Sequence, residues 1–192
     1  MFLDEVDAIV GGRGGPGEHE ASRRFKTELY CCIDGLTSGS NDGAGSNVMV
    51  LAATNCPWDL DDAMRRRLEK RIYIPLPDVE TREQLFGIQM GAMNVEERCL
   101  NVTGELAKMT EGYSGSDINL ICREAAMVKM RLMIEGKGAT EIIGMRQAGG
   151  VLEHGVVVGV VDFVEAVKRT KRSVGTGEGD KFVRWEKMFG SG

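Results

Sequence analysis

The stretch Met1-Phe2-Leu3-Asp4-Glu5-Val6-Asp7-Ala8-Ile9 opens the chain and decides its fold. Three apolar residues run into two carboxylates, and apolar residues resume directly after Glu5. A short apolar run of this kind is typical of a strand that is buried on both faces of a parallel sheet. The stretch therefore predicts a short buried strand that carries Asp4 and Glu5 at its carboxyl end.

Two adjacent carboxylates at the end of a buried strand have a known use in nucleoside triphosphatases. In a Walker B strand, the Asp holds Mg²⁺ on the β- and γ-phosphates and the following Glu polarises the attacking water. The same residue types also occur at ordinary strand-to-loop exits. This stretch alone is therefore compatible with a Walker B strand and with an ordinary strand end, and evidence from the rest of the chain is needed to distinguish them.

Length, composition and charge limit the classes of protein to consider. The chain has 192 residues, of which 42% are hydrophobic, and this suffices for one globular domain or one domain with a small appendage. The net charge of -5 argues against a protein that binds duplex nucleic acid through bulk charge, so we expect no nucleic-acid partner. No run of about eighteen apolar residues occurs, and we expect no membrane insertion.

Five cysteines, Cys31, Cys32, Cys56, Cys99 and Cys122, occur without the spacing of a metal site or of a disulfide framework. This pattern predicts reduced thiols in a cytosolic or nuclear protein. We expect most of the five to be small buried hydrophobes.

Residues 11–19 (GGRGGPGEH) form a glycine-rich segment that invites comparison with a phosphate-binding loop. A P-loop has the pattern G-x-x-x-x-G-K-[ST], in which backbone N–H groups and the Lys hold the phosphates. That pattern occurs neither here nor elsewhere in the 192 residues. The segment is therefore predicted to be a surface loop.

Residues 20–36 predict an amphipathic helix that closes at Gly35. Its apolar positions recur at helical spacing: Phe25, Leu29, Cys32, Ile33 and Leu36. Residues 37–47 (TSGSNDGAGSN) are small and polar, which predicts a linker-like loop.

Residues 47–55 form a second continuous apolar run, which ends on Thr54 and Asn55. This run predicts a central parallel strand. Because ligands of open α/β sheets bind at the carboxyl ends of strands, we expect Asn55 to meet Asp4 and Glu5 at one edge. Alternatively, Asn55 only caps the turn that follows it.

The remaining chain is predicted to be mainly helical. The charge order of residues 59–71 favours a short helix, and residues 72–77 predict a strand that proline ends. Asp78 is predicted to cap a helix that carries Leu85, Phe86, Ile88, Gln89 and Met93. Further helices are predicted over residues 103–109, 114–135, 162–171 and 180–189, and the second of these four starts with a pattern similar to a capping box at Ser114.

Four segments occur in this order along the chain: FLDEVDAI (2–9), EHEASRRFKTEL (18–29), VLAATNCPWDLDDAMRRRLEKRIYIPLPD (50–78) and EGYSGSDINLICREAA (111–126). Together they resemble the AAA ATPases, in particular the microtubule-severing and membrane-remodelling clade that includes katanin, spastin and fidgetin. Within the clade, three features are most similar to katanin-type ATPases: Leu68, the segment EHEASRR (18–24) and the final WEKMFGSG (185–192). The resemblance implies an α/β fold: a partial P-loop-type AAA core, a parallel sheet with flanking helices, over residues 1–78, a small all-helical lid over 79–174 and a carboxyl-terminal helix over 175–192.

The resemblance also implies a site for ATP and Mg²⁺. Asp4 matches the Mg²⁺ ligand, Glu5 the water-activating Glu, and Asn55 the sensor that orients the water. Arg66 and Arg67 match the arginine fingers that act on the nucleotide of the adjoining copy in the assembly. A planar guanidinium is suited to this role because it can bridge two phosphoryl oxygens and stabilise the charge that grows in the transition state. Without the resemblance, a solvated helix end would explain the two arginines.

The resemblance also implies roles for two further sets of residues. Gly115, Ser116 and Asp117 match the lid segment that approaches the adenine and ribose, although helix capping alone would explain them. His19, Arg23 and Arg24 match residues of a pore loop that meets an acidic polypeptide tail. The alternative for the arginines is pairing with nearby glutamates at helical spacing.

The implied protein is a hexamer that extracts tubulin and severs microtubules in the cytoplasm, and the family allows for an additional regulatory protein. In a complete AAA module the P-loop precedes Walker B, whereas this chain starts at Walker B. We therefore expect the 192 residues alone not to bind or hydrolyse ATP. The alternatives are a truncated, non-catalytic module that joins hexamers, and a vacuolar-sorting ATPase of the same clade.

Overall fold

The computed structural model describes residues 1–10, 20–37, 48–138, 141, 157–175 and 177–191. The predicted glycine-rich loop at 11–19 and nearly all of the predicted linker at 37–47 lie outside these residues. The chain divides into two compact units, Met1–Tyr73 together with Gly179–Gly192, and Ile74–Glu178. The three-part division at residues 78 and 174 stays a prediction.

The first unit is built on two short parallel strands. β1 (Phe2–Leu3) pairs with β2 (Leu51–Ala52), with Phe2 opposite Leu51 and Leu3 opposite Ala52. The two continuous apolar runs of the sequence are therefore neighbours in one parallel sheet, as predicted. With the helices beside them, the strands confirm the α/β class.

The described part of the first unit contains the α-helices α1 (Val6–Val10), α2 (Glu20–Thr37) and α3 (Asp62–Arg67), and from Gly179 onward it contains α8 (Glu178–Phe189). Their core contains Val6, Val10, Ile33, Leu60 and Met64. The ring of Phe182 on α8 packs against Trp58 and Tyr73, at centroid distances of 5.1 and 5.7 Å. Aromatic packing therefore docks the last helix on the first unit.

The described part of the second unit is mainly helical and has an isolated parallel bridge between Val95 and Val158. It contains α4 (Val79–Gly91), α5 (Thr103–Met109), α6 (Gly115–Ile134) and α7 (Val160–Arg169). Asp78 caps α4 and Ser114 caps α6, as the sequence predicts. The core joins all four helices: Phe86, Met90, Cys99, Leu106, Ile118, Ile121, Cys122, Ala125, Val158, Phe163, Ala166 and Val167.

The strand predicted over residues 72–77 is wrong, because the described structure has no strand there. Ile72 and Ile74 are each 85% exposed, and no strand of the described chain lies beside them. A strand needs a neighbour to pair its backbone N–H and C=O groups. The apolar pattern of residues 72–77 was therefore not sufficient to form a strand.

The predicted burial of both strands is wrong, because Phe2 on β1 is 61% exposed and Leu51 on β2 is 57% exposed. Two other predictions of burial are also wrong. On α2, Phe25 is 55% exposed and Cys32 is exposed, although Ile33 of the same predicted stripe is buried. Of the five cysteines only Cys99 and Cys122 are buried, so most are not core residues. Across the described chain, no helix is both long and apolar enough to cross a membrane.

Candidate active site

The ends of the two strands are joined by backbone hydrogen bonds. The N–H of Ala53 donates to the carbonyl of Leu3 at 2.8 Å, and the N–H of Val6 donates to the carbonyl of Ala53 at 3.1 Å. These bonds bring the segment after β1 beside the segment after β2. The chain therefore turns at one edge of the sheet directly after both strands.

Three candidate residues lie in these two segments. Asp4 and Glu5 follow β1, Asn55 follows β2, and all three are exposed. Glu5 has a φ of 50°, in the left-handed region that non-glycine residues rarely adopt. Its N–H donates to Oδ1 of Asp4 at 2.9 Å, which holds the turn between β1 and α1. Exposed carboxylates at a strand end can receive a ligand from solvent.

A half-buried pair of hydrogen bonds fixes the position of the segment that carries Asn55. The hydroxyl of Thr54 donates to Oδ1 of Asp7 on α1, and it accepts from the N–H of Cys56 at 3.0 Å. Asp7 and Thr54 are 47 positions apart, and nothing in the local sequence of either residue indicated that they would pair. These bonds link the segment of Asn55 to the helix that starts after Glu5.

The residues at this edge fit a magnesium ion that is bound together with phosphates. Among the described residues there is no group of three or more His, Cys, Asp or Glu that could hold a metal ion by itself. Mg²⁺ commonly takes only one or two protein carboxylates, with waters and substrate phosphates as its other ligands. The exposed carboxylate of Asp4 suits that arrangement.

The three arginines of α3 have different surroundings. Arg65 forms an ion pair with Asp62 on the same helix. Arg67 donates from Nε and Nη2 to the two carboxylate oxygens of Asp34, at 2.7 and 2.6 Å. Arg66 is exposed, and no residue of the described chain forms a hydrogen bond or an ion pair with its guanidinium. Of the two predicted fingers, only Arg66 has a free guanidinium in the described structure.

The predicted lid residues lie at the amino end of α6. Gly115 and Ser116 are exposed, whereas Asp117 is 4% exposed. Oδ2 of Asp117 accepts from the N–H and hydroxyl of both Ser114 and Ser173, at 2.9 to 3.2 Å. Burial raises the pKa of Asp117, but these hydrogen bonds outweigh it and hold the pKa below its usual value.

Asp117 therefore caps its own helix and anchors the segment at Ser173. The Ser-x-x-Asp pattern indicated the capping box, but no sequence signal indicated the bonds from Ser173. Gly115 and Ser116 remain the members of the predicted set that face solvent.

Of the predicted pore residues, His19 lies outside the described residues. Arg24 forms an ion pair with Glu20 one turn earlier on α2, which is the alternative that helical spacing allowed. Arg23 is exposed, and its guanidinium has no partner in the part of the chain that the structure describes.

Comparison with known proteins gives a consistent assignment. The ATPase family associated with various cellular activities (AAA) matches residues 1–76, and the AAA+ lid domain matches residues 103–140. Two katanin p60 ATPase-containing proteins are similar to the chain: the A1 form of Arabidopsis thaliana at 45% identity and the A-like 1 form of Homo sapiens at 42%. Both matches cover 100% of this chain, which spans 36% and 38% of those relatives.

Solved structures agree with the sequence relatives. The FIGL-1 AAA domain in complex with ADP matches with a TM-score of 0.79 and 31% identity, over 99% of this chain and 57% of that chain. A structure determined for katanin self-assembly matches with a TM-score of 0.70 and 34% identity, over 96% of this chain and 56% of that chain. The chain therefore belongs to the AAA ATPase family, and within that family it is of the katanin type.

Proposed function

We propose that this chain supplies the Walker B edge, a finger and the lid of an ATPase that severs microtubules. The observation that carries the proposal is the junction of the two strand ends, which brings the segments with Asp4, Glu5 and Asn55 to one edge of the sheet. The exposure of Arg66 supports the role of a group that acts outside its own protomer. The katanin relatives support the choice of ATP as the substrate of this edge.

Each residue at the edge has a chemical task in this proposal. Asp4 holds Mg²⁺, which when bound neutralises charge on the β- and γ-phosphates. Glu5 accepts a hydrogen bond from the attacking water and draws its proton away from the oxygen. The amide of Asn55 holds the same water in line. Arg66 donates to phosphoryl oxygens of a neighbouring copy, where charge grows in the transition state.

The proposed substrate is the acidic tail of tubulin, bound by a hexamer at microtubules in the cytoplasm. Exposed arginines attract a glutamate-rich segment at short range, and salt weakens that attraction. Arg23 supports this role because its guanidinium is exposed and forms no ion pair among the described residues. Self-assembly of katanin supports the oligomer.

A P-loop-type ATPase needs the P-loop to hold the phosphates, and no G-x-x-x-x-G-K-[ST] occurs in the 192 residues. We expect the 192-residue chain alone neither to bind nor to hydrolyse ATP. Extending the reading frame upstream of Met1 decides between two forms of the proposal. A P-loop there supports the enzyme, and a stop codon supports a non-catalytic module that joins hexamers of intact protomers.

The replacement Glu5→Gln in the protein read from the extended frame tests the proposed chemistry. The amide cannot take the proton of the water, so we expect ATP to be retained while kcat falls by about 100-fold or more. Nucleotide retention and phosphate release are measured on the same preparation. Glu80→Gln, an exposed carboxylate in the first turn of α4, is the matched control and should keep the parent rate. An undiminished kcat in Glu5→Gln would refute the role of Glu5.

A further inference from the structure

The carboxyl ends of two helices, α3 and α8, are capped by one side chain, that of Arg71. The last carbonyls of a helix have no partner inside the helix, and a basic side chain can supply one. Nη2 of Arg71 donates to the carbonyl of Arg65 on α3 at 2.6 Å, and Nε donates to that of Leu68 at 3.1 Å. Nη1 donates to the carbonyl of Phe189, the last residue of α8, at 2.7 Å. One guanidinium therefore serves both helix ends.

Ser191 joins the same two segments through further hydrogen bonds. Its N–H donates to the carbonyl of Arg71 at 3.2 Å. Its hydroxyl donates to the carbonyl of Glu69 at 2.7 Å and accepts from the N–H of Arg71 at 3.2 Å. Together with the bond from Arg71 to Phe189, these contacts form the Arg71–Ser191 junction. The junction links residues that are 120 positions apart in the chain.

Gly190 lets the chain reach the junction after α8. Its N–H donates to the carbonyl of Glu186 at 2.6 Å, and a Cβ atom at this position would lie 2.5 Å from the same carbonyl oxygen. A side chain there would clash with the backbone and move Ser191 away from Arg71. The junction therefore depends on a glycine at position 190.

Neither helix has a large buried face of its own. Every residue of α8 keeps part of its surface exposed, and α3 has only six residues. Besides the junction, α8 is held by the packing of Phe182 on two aromatic rings and by the guanidinium of Arg65, which lies 4.9 Å from the centre of the Phe189 ring. Segments with few buried contacts open at a lower free energy than the core. The hydrogen bonds of the junction should therefore contribute much of the order of both helix ends.

We propose that the Arg71–Ser191 junction makes the order of α3 and the docking of α8 one cooperative unit. Because the same guanidinium holds both carboxyl ends, opening of the junction releases them together. A molecule that displaces α8 then loosens α3, and by linkage a contact that orders α3 strengthens the docking of α8. This conformational coupling is separate from the proposed ATP chemistry and does not depend on it.

Amide hydrogen exchange on the 192-residue chain tests the coupling at both helices in one measurement. Arg71→Lys keeps the charge but loses the planar fork that reaches three carbonyls, so exchange should rise about tenfold in the last turns of both α3 and α8. Ser191→Ala removes only the hydroxyl contacts and should raise both by about threefold. Met188→Ala, at a position on α8 that is 68% exposed, is the matched control and should change neither. The amides of α6 serve as an internal reference. Faster exchange in only one of the two helices in Arg71→Lys would overturn the proposal.

The coupling can also be tested from the amino end of α3, which is remote from the junction in the helix. Oδ1 of Asp61 accepts from the N–H of Met64 at 2.8 Å and caps α3, so Asp61→Ala should loosen this helix. The same variant should raise exchange in the last turn of α8 by about threefold, and in an Arg71→Lys background it should raise it no further. Exchange of α8 at the parent rate in Asp61→Ala, or an equal rise in both backgrounds, would show that the two helices are independent.

Discussion

A single carboxylate oxygen, Oδ2 of Asp117, joins two segments of the helical unit. It accepts from Ser114 at the start of α6 and from Ser173 after α7, while the side chain is almost fully buried. A buried carboxylate is stable only where its charge is compensated by donors. The four donors at this site supply that compensation, and they make the ionised form part of the fold.

Stability should therefore depend on the protonation of Asp117. Its pKa is lowered in the folded chain, so the stabilisation is complete above the usual value of 3.8 and is lost as the pH falls through the folded-state pKa. Asp117→Asn should lower the free energy of unfolding at neutral pH by about 2 kcal/mol. It should also flatten the pH dependence of that free energy below about pH 4.

Urea unfolding at a series of pH values, followed by circular dichroism, measures both effects. Ser173→Ala is an intermediate control, because it removes one of the four donors and leaves the carboxylate in place. If Asp117→Asn lost stability on acidification as steeply as the parent chain, another group would be responsible.

At the scale of one residue, the sequence indicated the candidate functional residues, but it did not indicate most of their contacts. The pattern around Asp4, Glu5 and Asn55 follows from apolar runs that end on polar residues. Asp34, the partner of Arg67, and Ser173, one of the two partners of Asp117, lie 33 and 56 positions away, and no local period encodes these contacts.

The helices of the second unit were predictable because their signals are local. Apolar residues at helical spacing, caps at amino ends and stop signals all lie within a few positions of one another. The predicted helix at residues 103–109 matches α5 (Thr103–Met109), and the capping box was placed at Ser114. The strand predicted at residues 72–77 was wrong for the opposite reason. A strand depends on pairing with a neighbouring strand, and that pairing is not encoded locally.

Helix α4 allows a direct test of which of its faces is buried. Phe86 is fully buried in the core, whereas Ile88, two residues later, is 67% exposed. Phe86→Ala should lower the free energy of unfolding by about 3 to 5 kcal/mol, because it leaves a cavity. Ile88→Ala, the matched control on the same helix, should change it by less than about 0.5 kcal/mol.

Chemical denaturation of the two α4 variants measures the difference. Equal destabilisation by Phe86→Ala and Ile88→Ala would contradict the packing of α4 described above. The prediction from sequence placed both residues on the helix but did not separate them by exposure.

At the scale of the whole molecule, each of the two units has its own core, and the proposed ATP chemistry uses mainly the first. Asp4, Glu5 and Asn55 would serve the nucleotide of their own protomer, while Arg66 would serve that of the next. Such a head-to-tail contact is heterologous and closes into a ring when its rotation permits. Neither half of the proposed site would then be active alone.

The claim that adjoining protomers share the site is tested most directly by mixing two inactive variants. Both are variants of the protein that is translated from the reading frame extended upstream of Met1. Glu5→Gln disables the nucleotide side of an interface and Arg66→Ala the finger side, so each variant alone should hydrolyse ATP at a background rate. In an equal mixture, about a quarter of the interfaces of a random ring combine an intact Glu5 with an intact Arg66. We predict that the steady-state rate of the mixture rises to about a quarter of the parent rate. A rate equal to the mean of the two separate variants would contradict action across the interface between protomers.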